Sequence, residues 1–433
     1  MAGGQRGAGP DFCGRRRVLS QGTGRRRPSV IPLRSHTMTE SHSPPLQGIR
    51  VLELGHFVAG PGVSMTLREL GAEVLKIEPL AGDSPRHMGP LGQAIVNAYN
   101  RGKRSIAVDL QKPEGRALVQ RLAGTCDVVV QNQRPGVVER MGLGAAQLRE
   151  RHPRLIYLSV SGFGSRGISR DRPGFDVVGQ AESGLMSVTG DPAGPPQKVG
   201  APIIDKMTAH VGTQAVLAAL FRRERTGEGA TIETSLLENA LHLQQCFITD
   251  FMATGIQPRR PGHGSEHFAP GADLIRTADG HIAITAYIDA HWARLCGLIG
   301  RPELGEDPRF ETNALRVANR EAMRQALTAH FERLSTEDAV RLLAGGQIVA
   351  AAVRQYADVV ASDDVRMSGM LLDVPTADGA GYRTLGLPYA FDGEDRPNPP
   401  AAPGIGSDTE SVLAGIGVSR EECEALRRAG VVA

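Results

Sequence analysis

The chain has 433 residues, of which 41% are hydrophobic and 22% are charged, as is typical of a globular protein with two or three domains. A net charge of +2 and an aromatic content of 4% argue against a nucleic-acid-binding protein, which would need a basic surface with stacking side chains. The five cysteines show no CxxC or Cys/His spacing, so we expect neither a disulfide framework nor a metal site.

Residues 1–37 differ in composition from the rest of the chain, because they carry eight arginines and one acidic residue among many glycines. They lack the apolar core of a secretory signal. We interpret them as a disordered leader, either an organellar transit peptide or the product of translation starting upstream of Met38. The expected location is cytoplasmic, or mitochondrial if the leader is a transit peptide. No apolar run approaches the ~20 residues that span a bilayer, so we expect no membrane partner.

Residues 48–80 read GIRVLELGHFVAGPGVSMTLRELGAEVLKIEPL, a pattern that predicts strand, turn, helix and strand. Such a βαβ unit indicates a parallel α/β architecture. The glycines at 55, 60 and 62 do not match G-x-G-x-x-G, in which the spacing allows close approach of a pyrophosphate. The unit therefore does not predict a dinucleotide site.

The next part of the chain continues the α/β pattern, and we expect a sheet of at least four strands. Strand-like runs cover 104–108, 127–130 and 155–160, and a helical pattern covers 113–122. A further strand and helix are predicted within 227–243, before a stretch rich in Pro, Gly and His at 255–271.

We place a domain boundary at that stretch. The predicted organisation is a large α/β domain with a parallel sheet over 46–250, a small α+β domain over 272–365, and a C-terminal segment over 366–433 that returns to the large domain. The small domain is expected to start with a hairpin at 274–287, and the helical composition of 307–327 follows it. The C-terminal segment is expected to contain two helices.

Asp205 lies in VGAPIIDKMTAHVGTQAVLAALF, between an apolar tetrapeptide and an apolar periodic run. An aspartate just before a helix can cap the free N–H groups of the first turn. The same backbone donors and the positive helix end would keep its carboxylate ionised, and hence nucleophilic. The residues alone leave both roles open.

Several segments together resemble the class III CoA-transferases, the family of formyl-CoA transferase, carnitine CoA-transferase and the α-methylacyl-CoA racemases. The resemblance covers most of 46–245 and is carried by GIRVLELGHFVAGPG, LGAEVLKIEPLAGD, NRGKRSIAVDL, DVVVQNQRPGVVERMGLG, RHPRLIYLSVSGFG, RPGFDVVGQAESGLMSVTG and LLENALHLQ, together with the segment around Asp205.

The resemblance implies that Asp205 is a covalent nucleophile. In this family an aspartate at that position takes the acyl group from an acyl-CoA as an anhydride, then holds CoA as an aspartyl thioester, and finally passes CoA to a free carboxylic acid. No permanent cofactor is implied, and the CoA thioester is a substrate. The partner is a small carboxylic acid, either mono- or dicarboxylic. The family fold further implies that the large domain is Rossmann-like and that the protein is a homodimer of interlocked rings.

The same resemblance implies a set of CoA-binding residues: His56 and Val58 at the first turn, Asn132, Arg140 and Met141 near the pantetheine and adenine ends, and Arg104 at a phosphate. Two of these have ordinary alternatives. His56 would also suit a core or loop histidine, and Arg104 belongs to a basic run that would also suit a solvated loop. Val58 replaces a glutamine of formyl-CoA transferase, so an oxalate-type acceptor is not expected.

Two alternative functions stay open at this stage. The racemases of the family use a histidine in a GHD segment, but this chain has PGFDVV, and Phe175 cannot carry a proton. We therefore favour transfer over racemisation and expect Asp176 to cap or orient. A non-catalytic CoA-binding relative is the second alternative. Arg259, Arg260 and His263 are either contacts for a second carboxylate or a basic surface loop.

Overall fold

The structure is a computed structural model that describes residues 43–391 and 398–433, so the predicted leader lies outside the described residues. Eleven strands occur in this part of the chain: β1 (Arg50–Leu54), β2 (Glu73–Glu78), β3 (Arg104–Ala107), β4 (Val128–Gln131), β5 (Ile156–Ser161), β6 (Ala230–Ser235), β7 (Gly271–Arg276), β8 (His281–Thr285), β9 (Val349–Ala352), β10 (Leu371–Val374) and β11 (Tyr382–Leu385).

The α-helices of the described residues follow in chain order: α1 (Ala59–Glu69), α2 (Gly89–Asn100), α3 (Pro113–Ala123), α4 (Val137–Arg140), α5 (Ala145–Arg151), α6 (Asp176–Glu182), α7 (Ile203–Thr226), α8 (Leu236–Leu243), α9 (Gln245–Thr254), α10 (Asp289–Leu298), α11 (Asn313–Ala318), α12 (Arg320–Phe331), α13 (Thr336–Gly345), α14 (Tyr356–Ala361), α15 (Asp363–Met367), α16 (Thr409–Ala414) and α17 (Arg420–Arg428).

A six-stranded parallel sheet forms the main body of the protein, which confirms the predicted α/β fold. Its strand order is β3-β2-β1-β4-β5-β6. The apolar strands are buried on both faces because one hydrophobic cluster covers each side, as parallel sheets require. The order reverses between β1 and β4, and the connections therefore leave in opposite directions there. Such a switch point opens a crevice at the carboxyl ends of the strands.

Gly60 and Gly62, near the start of α1, allow this helix to approach its neighbours closely. A Cβ atom added at Gly62 would lie 2.8 Å from Cβ of Ala209, and one added at Gly60 would lie 3.0 Å from the Asn132 side chain. Helix α1 therefore packs directly against α7, which carries Asp205. These glycines do not have the spacing of a pyrophosphate-binding turn, but the lack of a side chain at Gly62 permits the contact between α1 and α7.

A separate hydrophobic core lies between the three-stranded antiparallel sheet β7-β8-β9 and helices α10 to α13. The predicted hairpin is confirmed as β7 and β8, and β9 adds a strand that the sequence did not suggest. The helical interpretation of 307–327 is wrong at its start, since α11 begins only after Thr312, whose hydroxyl caps it.

The C-terminal segment packs against the edge of the large sheet at β3. The two predicted helices are present as α16 and α17, and they contribute Leu413 and Cys423 to a core on one face of the sheet. The backbone N–H of Asp109 donates to the Val431 carbonyl at 2.8 Å. Within 43–391 and 398–433, no helix is long and apolar enough to cross a membrane.

Candidate active site

Two adjoining cavities lie in the crevice at the carboxyl ends of the parallel strands. The larger, of about 610 Å³, is bounded by the ends of β1, β2 and β3 and by α4. The smaller, of about 330 Å³, is lined by Asp205 and by residues that follow β1, β4 and β5. Both are lined by His56, Gln133 and Val137, so they adjoin and together make up the cleft at the switch point.

The turn after β1 is held by the side chain of Asn132. The backbone N–H of His56 donates to Asn132 Oδ1 at 2.8 Å, and Asn132 Nδ2 donates to the His56 carbonyl at 2.9 Å. Asn132 thus ties the end of β4 to the turn that carries His56. Burial lowers the pKa of His56, so the imidazole is neutral at pH 7.

A buried group of charges lies beneath the same turn. Lys76 Nζ donates to Glu53 Oε1 and to the Gly55 carbonyl, both at 2.8 Å, and Lys103 Nζ donates to Glu53 Oε2 at 2.6 Å. Burial alone would raise the pKa of Glu53, but Lys103 and Lys76 outweigh it and lower that pKa to about 2. Burial lowers the pKa of Lys103 to about 8. The turn therefore has a rigid ionic support.

Sequence reasoning missed this support, although it carried one signal. Lys76 is the fourth residue of β2. All residues of this strand except the first, Glu73, are buried. A lysine in such a strand must find a partner, because an unpaired buried charge is very costly. Glu53 occupies the paired position on β1.

Asp205 is the third residue of α7, because this helix begins at Ile203. Of the two roles that the residues alone left open for Asp205, the capping role is therefore excluded. The cap is Asp176, whose Oδ2 accepts hydrogen bonds from the backbone N–H groups of Ile204 at 2.7 Å and Asp205 at 3.1 Å. The expected capping role of Asp176 is confirmed.

The pKa of Asp205 is raised to about 7, first by burial and then by the charge of Asp176. The expectation that backbone donors would keep this carboxylate ionised is thus wrong, because Asp176 takes those donors. Among the described residues, no hydrogen-bond donor or cation pairs with the Asp205 carboxylate. An acid that is half ionised near pH 7 and has no partner is free to react.

The walls of the smaller cavity combine aromatic rings and cationic side chains. The rings of Phe57 and Phe175 meet edge to face, with centroids 5.8 Å apart. Arg134 and Arg172 line the same cavity. Arg172 donates to Glu182 at 2.5 Å, whereas Arg134 forms no ion pair within the part of the chain that the structure describes.

The cleft contains most, but not all, of the residues predicted to bind CoA. His56, Val58 and Asn132 line the smaller cavity with Asp205, and Met141 lines the larger one. Arg140 is exposed at the end of α4, beside Met141, and does not line either cavity.

Arg104 does not lie in the cleft, and its predicted phosphate contact needs correction. It is the first residue of β3, at the amino end of the sheet, whereas the cleft lies at the carboxyl ends. Its Nη1 donates to Glu73 Oε1 at 2.8 Å, and its Nη2 donates to Ser411 Oγ at 2.9 Å. Arg104 therefore joins the sheet to the C-terminal segment.

The basic residues suggested for a second carboxylate are also absent from the Asp205 cavity. Arg260 donates to the backbone carbonyls of Asp191 at 3.1 Å and Gly194 at 2.8 Å. His263 lines a different cavity, of about 450 Å³, beside β7 and α12. Arg259 does not line the Asp205 cavity either.

Comparison with known proteins gives a consistent result over nearly the whole described chain. Residues 46–409 match the model of CoA-transferase family III. A succinate–glutarate CoA-transferase of Agrobacterium fabrum is 35% identical over 358 residues, which cover 79% of this chain and 89% of that protein. A succinyl-CoA:mesaconate CoA-transferase of Haloarcula hispanica is 36% identical over 347 residues, covering 77% and 87%. The crystal structure of a CaiB/BaiF family protein from Brucella suis superposes with a TM-score of 0.79 at 34% identity, covering 87% of this chain and 100% of that one.

Proposed function

Because the chain belongs to CoA-transferase family III, we propose that this CoA-transferase moves CoA from an acyl-CoA thioester to a free carboxylic acid through covalent intermediates on Asp205. The observation that carries the proposal is the state of Asp205. Its carboxylate lies in the cleft, has no partner among the described residues, and has a pKa of about 7. A capping aspartate would be hydrogen-bonded to backbone, and here that task belongs to Asp176.

The reaction begins when an ionised oxygen of Asp205 attacks the thioester carbonyl carbon. The C–S bond breaks, CoA leaves as a thiolate, and an acyl-aspartyl anhydride remains. The thiolate then attacks the aspartyl carbonyl carbon of the anhydride, and the donor acid leaves as a carboxylate. The acceptor carboxylate repeats both steps in reverse, so no net proton is consumed and Asp205 is restored.

The two cavities suggest a division of roles within the cleft. The larger cavity, with Met141 on its wall and Arg140 beside it, takes CoA. The smaller cavity takes the acyl group and the acceptor next to Asp205, with His56, Val58 and Asn132 around the thioester. In the first turn of α1, Pro61 has no N–H and the Gly62 N–H donates to the Val58 carbonyl at 2.7 Å, which leaves the N–H groups of Ala59 and Gly60 available to an oxyanion.

We assign the acceptor to the small dicarboxylic acids. The two relatives named above act on succinate, glutarate or mesaconate by their names. Arg134 supports the assignment, because it lines the Asp205 cavity and forms no ion pair with the described residues. A guanidinium there can bind the distal carboxylate while the near one reacts. The Phe175 side chain can neither donate nor accept a proton, which disfavours racemisation.

Capture of the acyl group on the enzyme tests the proposal. Protein incubated with succinyl-CoA and hydroxylamine is digested, and the peptide containing Asp205 is analysed by mass spectrometry. A hydroxamate at Asp205, and loss of transfer in Asp205→Asn, are expected. Asp171→Asn is the matched control, because this aspartate is exposed and its carboxylate pairs with the neighbouring Arg170. Transfer that proceeds while Asp205 stays unmodified would refute the covalent role.

A further inference from the structure

Phe57 adopts a backbone conformation that phenylalanine rarely takes. Its φ is +60°, in the left-handed region, where residues other than glycine, asparagine and aspartate are strained. The turn after β1 nevertheless has a phenylalanine here, between His56 and Val58. Strain of this kind persists at sites where the surrounding structure holds the residue for a purpose.

The ring of Phe57 meets the ring of Phe175 on the wall of the Asp205 cavity. The centroids are 5.8 Å apart and the planes are inclined by 80°, a favourable edge-to-face arrangement. Val58, Pro173 and Leu236 line the same cavity. Burial alone does not explain the second ring, because Phe175 is 55% exposed.

The position of Phe175 is fixed relative to the nucleophile. It immediately precedes Asp176, whose carboxylate binds the N–H groups of Ile204 and Asp205. Two consecutive residues therefore carry the aromatic ring, Phe175, and the carboxylate that caps α7, Asp176. The backbone that carries the Phe175 ring is therefore held next to the start of α7.

We infer that the Phe57–Phe175 pair excludes water from the acyl-aspartyl and aspartyl-CoA intermediates, an inference that rests on the proposed function. Both intermediates can be attacked by water, the anhydride more readily than the thioester. Water adds to a carbonyl of the anhydride, the central C–O bond breaks, and two carboxylates and two protons are released. Water adds to the aspartyl-CoA carbonyl, the C–S bond breaks, and CoA thiol, the Asp205 carboxylate and one proton are released. Either event turns transfer into thioester hydrolysis.

The remaining walls of the Asp205 cavity include polar side chains, which would not keep water away from the intermediates. Arg134, Arg172 and Ser161 line it with polar atoms, which attract water. The acceptor must enter, so the cavity cannot be closed permanently. An apolar wall beside the reacting carbonyl lowers the chance of water attack while leaving room for a carboxylate, which is a better nucleophile for exchange of this kind.

The test compares hydrolysis with transfer in Phe175 variants of the full chain. Succinyl-CoA is supplied with and without glutarate, and free CoA and glutaryl-CoA are measured over time. The ratio of hydrolysis to transfer is expected to rise at least tenfold in Phe175→Ala and by a smaller factor in Phe175→Leu, which keeps part of the apolar surface. Phe221→Ala, at an exposed position near the other end of α7, is expected to leave the ratio unchanged.

Each outcome separates this inference from the proposed function. In the double variant Phe175→Ala with Asp205→Asn, the added hydrolysis is expected to vanish, because it passes through Asp205. An unchanged ratio in Phe175→Ala, with wild-type hydroxamate still found at Asp205, overturns the shielding role alone. Equal loss of transfer and hydrolysis in both Phe175 variants also overturns it. Absence of wild-type transfer or of the hydroxamate overturns the covalent mechanism and the shielding role together.

Discussion

Asp205 must be ionised to attack a thioester, yet burial and Asp176 raise its pKa to about 7. We therefore predict that formation of the covalent intermediate becomes faster as pH rises, about tenfold per unit below pH 7, and levels off above it. The measurement is the single-turnover rate at which excess enzyme consumes acyl-CoA between pH 5.5 and 8.5. A rate that does not change over this range would contradict an ionising nucleophile with that pKa.

Protonation of Asp205 also affects the free energy of unfolding, and the raised pKa gives the sign of its pH dependence. An unfolded aspartate has a pKa near 3.8, so between pH 4 and 7 the folded state holds the proton more tightly and stability falls as pH rises. Asp205→Asn is expected to stabilise the fold at pH 8, by at most about 4 kcal/mol, and to have little effect at pH 4. Urea unfolding at both pH values measures this, with Asp171→Asn as control. A destabilised Asn variant at pH 8 would refute the sign.

Lys103 and Arg104 are adjacent cations with different expected contributions to stability. Lys103 is fully buried with Glu53, whereas the Arg104 side chain is 34% exposed beside Glu73. Lys103→Met is expected to cost about 3–5 kcal/mol, because it leaves part of a buried carboxylate uncompensated. Arg104→Met is expected to cost less than about 1 kcal/mol. Chemical denaturation of both variants tests the difference, and similar losses would contradict it.

At the scale of elements, Asp176 joins α6 to α7 through two backbone hydrogen bonds. Asp176→Asn keeps an acceptor oxygen but removes the charge, so the pKa of Asp205 is expected to fall and the pH–rate profile to shift to lower pH. Asp176→Ala removes the cap as well and is expected to cost about 0.5–2 kcal/mol of stability. An Asn variant with an unshifted profile would show that Asp176 does not act on the nucleophile through charge.

Local sequence patterns predicted most elements of the large sheet. The predicted strands at 104–108, 127–130 and 155–160 correspond to β3, β4 and β5 within one or two residues, because their apolar runs are short and bounded by turns. The start of α7 was predicted wrongly, because its cap comes from Asp176, which is 29 residues away from Asp205. A pattern that spans a few residues cannot contain such a contact.

At the scale of the whole molecule, strand order decides which predicted residues meet. The sequence suggested a parallel sheet but gave no order, so only the family resemblance linked His56, Asn132 and Asp205, which the switch point brings to one cleft. The resemblance implied that Arg104 contacts a phosphate, but Arg104 begins β3 and so lies at the end of the sheet away from the cleft. The fold was therefore more predictable than the site, since the site depends on contacts between distant segments.

The apolar surface of α9 bears on the proposed homodimer. Phe247 and Phe251 are one helical turn apart on α9, and both are more than 40% exposed, as is the adjacent Met252. Exposed large apolar side chains that cluster in this way mark association surfaces. Ile256, just beyond the helix, extends the patch, with 68% of its surface exposed.

We therefore predict that the protein is a dimer at micromolar concentration and that Phe247→Asp with Met252→Asp increases the monomer fraction. Each aspartate would place a charge in a surface that loses water on association, which costs several kcal/mol per interface. Light scattering across a dilution series measures the molecular mass. Ile168→Asp is the control, because this isoleucine is fully exposed in a loop and lies outside the α9 patch. A monomeric wild-type protein would refute the dimer, and an undisturbed dimer in the double variant would place its interface elsewhere on the molecule.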